Sequence, residues 1–228
     1  MGTFAASKRQ SQQMTPRSQP RLTSVLFVPA REHLRTATAC HHARIERVIN
    51  LETIARHGMY RQLLLRMLAF YRPMESALAQ FAWGELGLND SERRKTPLLI
   101  RDLLAMGVSR QHVASMPDAA VPEFAGPPGA LGCCYVLEGA TLGGQIIAKR
   151  LNTVLHLDQA NGAAFFNGYG PATGAMWRSF CAVLNARVKD PPSCQAAAAA
   201  ACATFEHLEA CLRSAPKGHQ HRYTETNT

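Results

Sequence analysis

His42 and Glu46 stand four residues apart, a spacing that on a helix brings a carboxylate beside one nitrogen of an imidazole. Held in this way, the ring keeps one tautomer and leaves its other nitrogen free to ligate a metal. A polar pair on a wet helix face has the same spacing, so these two residues alone do not choose between ligand and surface. His41 lies about 100° around the helix from His42, and one helix cannot turn both rings toward one ion. The other histidines fall at no metal-binding spacing. The seven cysteines include the neighbours Cys133 and Cys134 but no C-x-x-C pair, so neither a zinc site nor a dithiol redox motif is written here.

A second pattern is the glycine spacing in LEGATLGGQIIAKR. Each glycine inside a helix costs about 1 kcal/mol relative to alanine, so Gly139, Gly143 and Gly144 call for a reason. Gly139 and Gly143 share a face. A helix face without side chains can lie close against something flat, and a local bend there would turn backbone groups toward a ligand. It can equally serve close packing of two helices through small residues.

The elements that must carry these residues are helical. Apolar residues recur at three-and-four spacing over 34–48 and again over a long segment 51–81, which Pro73 is expected to kink or divide. Thr96-Pro97 reads as an N-cap followed by a first-turn proline, opening a helix over 98–106 that Gly107 closes. A proline-rich loop over 117–128 precedes a helix over 130–156. The segment 165–171 reads as a loop, and helices over 172–188 and 193–213 follow, the last rich in alanine. No alternating strand pattern or internal repeat occurs, so the class is all-α.

A chain of 228 residues with 46% apolar content is long enough for one buried core. Residues 1–24 and 216–228, rich in Ser, Gln, Thr and basic groups, read as tails around a domain over 25–215. The net charge of +9 favours acidic partners. Lys8, Arg9, Arg17, Arg21, Lys217 and Arg222 place part of it in those ends, which weakens a nucleic-acid reading. No run of about 18 apolar residues or clear signal segment is found, so a cytoplasmic protein with reduced thiols and no membrane insertion is expected.

Three segments together resemble the haem oxygenase family. LRTATACHHARIE resembles the family's first-helix signature, LGCCYVLEGATLGGQ its distal helix, and FFNGYGPATGAMWRSF a later segment, closest to members that accompany bacterial phytochromes. The match runs over roughly residues 30 to 212. The resemblance implies a single multi-helix domain with haem, substrate and cofactor at once, between a proximal first helix and a glycine-kinked distal helix. His42 takes the axial position on the iron, with Glu46 beside it. Gly139, Gly143 and Gly144 take the catalytic positions where backbone passes over the ring and leaves room for dioxygen. Arg35 and Arg178 fall where basic residues meet the propionates, a role that suits planar guanidinium donors.

The implied reaction opens haem at a meso carbon to biliverdin, carbon monoxide and ferrous iron. No G-x-G-x-x-G turn offers a dinucleotide site, so electrons come from outside, from a ferredoxin, flavodoxin or flavin reductase, and a phytochrome is the expected recipient of the product. One departure stands out: Ala140 occupies the place where animal-type members carry an aspartate. A haem carrier or sensor on the same fold is the competing reading.

Overall fold

The computed structural model describes residues 28–214 except 55, and the two basic ends read from composition lie outside the described residues. Ten helices are found among the described residues: α1 Ala30–Val48, α2 Leu51–Ile54, α3 His57–Leu78, α4 Trp83–Leu86, α5 Thr96–Ala105, α6 Arg110–Ser115, α7 Gly126–Leu155, α8 Ala164–Asn167, α9 Thr173–Arg187 and α10 Pro191–Arg213. A single 3-10 turn, Gly170–Ala172, leads into α9, and no strand occurs among the described residues.

α10 is the helix on which α7, α1 and α3 assemble. Asp190 starts it, its carboxylate accepting the Ser193 N–H at 2.9 Å in a reciprocal capping box, while Pro191 and Pro192 occupy a first turn where no N–H is needed. Cys194, Ala197, Ala201, Thr204, Phe205, Leu208 and Leu212 then fall on a buried face. Its most extensive contacts are with α7 and α1. The alanines explain how close α7 can come: a Cβ on Gly132 would stand 2.0 Å from the Ala197 carbonyl oxygen, so only a bare backbone fits at that crossing. α1 runs alongside α10, with Cys202 Sγ 3.6 Å from the Ala37 carbonyl and Arg44 Nε 2.8 Å from Glu209.

Three elements differ from the sequence expectation because a distant group supplies what the local sequence lacks. Pro73 sits inside α3 and does not divide it; the break falls between α2 and α3 instead. A proline leaves the carbonyl four residues earlier without its helical partner. That carbonyl, of Ala69, accepts the Ala119 N–H at 3.2 Å. Thr96 is not a side-chain cap. The Glu75 carboxylate of α3 instead accepts the backbone N–H groups of Lys95 and Thr96, the latter at 3.1 Å. The expected loop over 165–171 begins as α8, because Asp102 of α5 accepts the N–H groups of Ala164 at 2.9 Å and Phe165 at 2.7 Å.

α7 begins at Gly126, earlier than expected, since Pro127 and Pro128 fit its first turn. It stays helical through Gly139, Gly143 and Gly144. The opening these glycines make is therefore one of missing side chains, with no break in the helix. By length and composition α7 is the one described helix apolar enough to cross a membrane, contrary to the sequence expectation of no such stretch, but 56% of that apolar window is buried in the protein. Leu142 and Ile146 remain exposed on it.

Candidate functional site

α1 and α7 both lean on α10, and Thr38 of α1 stands near enough to Tyr135 of α7 for its hydroxyl to ease ionisation of the phenol, against the larger effect of burial. One helical turn beyond Thr38 on α1 comes His42; one and two turns beyond Tyr135 on α7 come Gly139 and Gly143. The indole of Trp177 on α9 closes the corner, 5.6 Å from the Tyr135 ring between centroids and 3.7 Å from where a Gly139 Cβ would stand.

His42 is 62% exposed in its side chain. Its Nδ1 lies 3.4 Å from Glu46 Oε1, and its ring meets Phe205 of α10 edge-on at 6.1 Å. Nε2 makes no hydrogen bond to any described residue. The arrangement suits a ligand: one nitrogen stands beside a carboxylate and the other is available. His41 meets the same Phe205 ring but is enclosed. It is buried, stacks on Phe205 at 6.4 Å, and its Nδ1 lies 2.7 Å from Arg44 Nη2 and 3.9 Å from Glu206. Its contacts are those of a residue packing α1 onto α10.

The three glycines do not behave alike. Around Gly143 a Cβ would meet nothing within 4 Å, and Gly139 would meet only the Trp177 ring. Gly144 is buried, and a Cβ there would stand 3.0 Å from the Phe166 carbonyl oxygen of α8. Close packing, one of the two alternatives the spacing left open, accounts for Gly144. Gly143 has no packing partner, so its cost to the helix is not repaid inside the protein. With exposed Leu142 and Ile146 beside it, the surface there is apolar.

Arg35 is exposed and pairs with Glu32 at 3.0 Å. Together with Arg31 it makes Tyr135 easier to ionise, against the larger effect of burial, which raises the phenol. Arg178, next to Trp177 on α9, is exposed and makes no ion pair with any described residue. Basic groups therefore stand on α1 and α9 on either side of the crevice between α1 and α7, beside the Tyr135 and Trp177 rings. No group of three His, Cys, Asp or Glu side chains able to hold a metal occurs among the described residues.

Behind α7 lies a buried polar cluster that sequence reasoning missed. Glu138 accepts from Arg93 at 2.7 Å and from the Tyr169 hydroxyl at 2.6 Å, and Lys95 donates to Tyr169 at 2.6 Å while standing 3.9 Å from Glu138. Burial pushes the Lys95 ammonium down to about 8, against the pull of Glu138 and Glu75. Burial also pushes the Tyr169 phenol upward.

The family model "Heme oxygenase" matches residues 29–214. A curated heme oxygenase from Xanthomonas campestris pv. campestris (strain 8004) is 34% identical over 154 residues, 67% of this chain and 88% of that protein.

The chain belongs to the haem oxygenase family.

It is thereby an oxidoreductase that degrades haem. The fold agrees with solved haem oxygenases. One from Neisseria meningitidis, with NO and CO bound, has a TM-score of 0.70 at 19% identity, over 82% of this chain and 91% of that one. The Leptospira interrogans enzyme gives 0.65 at 18% identity, over 81% and 98%. A heme complex from Synechocystis gives 0.61 at 17% identity, over 81% and 91%. In this haem oxygenase Tyr135 and Trp177 also shape the site. Neither carries a local signal, since an aromatic at helical spacing reads as core.

Proposed function

We propose that this enzyme cleaves haem at a meso carbon to biliverdin, carbon monoxide and ferrous iron, with His42 as the axial ligand. The observation that carries the proposal is the pairing of an available His42 Nε2, on a ring whose Nδ1 stands 3.4 Å from Glu46, with a Gly143 face that nothing in the protein fills. Haem supplies the iron at which dioxygen is activated and is itself the molecule consumed. The protein's part is positional. His42 would hold the iron, Glu46 would favour one tautomer of the ring, and the bare Gly139 and Gly143 backbone would leave room for a small ligand. Arg35 and Arg178 suit the two propionates because guanidinium groups bind carboxylates two-pronged.

Ala140 supplies no carboxylate, so protons reach the site through water or other groups. Electrons come from an external donor such as a ferredoxin, a flavodoxin or a flavin reductase, and the basic net charge suits an acidic one. A phytochrome receiving the biliverdin, a cytoplasmic location and function without membrane insertion complete the reading. Seven free cysteines in the described residues accord with a reducing compartment.

Titration with haem, followed by reduction under dioxygen, tests it. A Soret band, then a biliverdin band, is expected. His42→Ala should abolish imidazole ligation in the ferric electron-resonance spectrum, and His41→Ala should preserve it. Loss of ligation in the His41 variant alone would refute the assignment.

A further inference from the structure

We infer that Glu138, with Arg93, Lys95 and Tyr169, forms a positioning hub that fixes the Gly139 backbone and the Trp177–Arg178 wall relative to bound haem. The inference rests on the functional reading above and assigns residues outside the crevice.

The geometry is that of a clamp behind the corner where α7 meets α9. Glu138 immediately precedes Gly139 but points about 100° away from it around the helix, into the protein. Its two oxygens are separately engaged: Oε2 by Arg93 at 2.7 Å and Oε1 by Tyr169 at 2.6 Å. Arg93 does not stop there. Its other nitrogen donates to Ser179 Oγ at 2.8 Å, and the guanidinium reaches the Met176 carbonyl at 3.4 Å. Met176 and Ser179 flank Trp177 and Arg178, so one guanidinium holds α7 just before Gly139 and α9 on both sides of the crevice wall. Lys95 closes the ring, donating at 2.6 Å to both Tyr169 and the Arg93 carbonyl, with its charge 3.9 Å over the Tyr169 ring. Tyr169 lies on the turn after α8, whose Phe166 carbonyl limits Gly144.

Such a cluster is a costly way merely to stabilise a fold. Arg93 is 13% exposed, Glu138 5% and Lys95 3%, and buried ion pairs often contribute less than apolar residues of the same volume. What they give is directionality, because every donor and acceptor must be met at a set distance and angle. The place where this rigidity is applied is one residue from the bare backbone of the crevice ceiling. Helix positions facing the haem thus gain a fixed height without a side chain of their own.

Two variants test the hub. Glu138→Gln keeps the shape and removes the charge; Tyr169→Phe removes only the hydroxyl shared by Glu138 and Lys95. Both are expected to take up haem with unchanged imidazole ligation. In the haem-free protein, amide hydrogen exchange over 139–144 should quicken about threefold to tenfold, as the loss of one net hydrogen bond implies. In the ferrous haem complex, carbon monoxide should dissociate faster by a similar factor. Exchange and dissociation both within about twofold of the unaltered protein would overturn the inference. If Glu138→Gln does not fold, Tyr169→Phe decides alone. A protein that binds no haem at all defeats the functional reading, whereas the exchange rates still report whether the hub holds α7.

Discussion

At the scale of residues, neighbours in sequence have opposite uses. His41 and His42 differ by one position, yet one is enclosed by Phe205, Arg44 and Glu206 and the other offers a nitrogen outward. The sequence could limit the ligand to one of the two, because both cannot face one ion. Which of them α10 encloses was not visible locally, since it depends on a helix more than 150 residues away. Lys95 yields a pH prediction. Its folded value near 8 lies below the 10.5 of an ordinary lysine, so between those values the unfolded chain holds more protons than the folded one. This group's contribution to stability therefore improves as pH rises from about 8 toward 10.5. Lys95→Met lacks that gain. Denaturant unfolding of both proteins at pH 7.5 and 9 should show the original gaining on the variant, and a difference independent of pH would refute a buried, depressed ammonium.

At the scale of elements, glycine has two distinct uses on one helix. Gly132 sits where α7 crosses α10, and any Cβ there must push the Ala197 backbone away. Gly132→Ala should cost about 1–3 kcal/mol or more, as overpacking does in a filled core. Gly143 has open space beside it. Gly143→Ala should stabilise the haem-free protein by up to about 1 kcal/mol through helix preference, and Gly143→Leu should impair carbon monoxide binding by the haem complex. Thermal unfolding and ligand-binding spectra check both, and a destabilised Gly143→Ala would contradict the open face. Periodicity disclosed the long helices well, because each buries a continuous apolar face. It failed where ends are set from afar: Glu75 caps α5, Asp102 caps α8, and Ala119 satisfies the carbonyl freed by Pro73. Such partnerships lie between elements and leave no local signature.

At the scale of the whole molecule, the described residues and the stretch matched by the family coincide closely, at 28–214 and 29–214. A polypeptide limited to 28–214 should therefore fold in one cooperative transition and still bind haem with imidazole ligation. Failure to bind would mean that the ends contribute to the site. Three short motifs far apart in the chain made the family recognisable, whereas the Glu138 hub joins residues from three segments and emerges only when these are folded together. α10 offers a different kind of control. Because α1 and α7 each rest on it, the gap between them is gauged by a helix whose inner row includes Ala197, Ala200 and Ala201. Adding or trimming a methyl group along that row would work as a spacer, widening or narrowing the jaws for a bulkier or slimmer tetrapyrrole while leaving every residue that touches the pigment as it is.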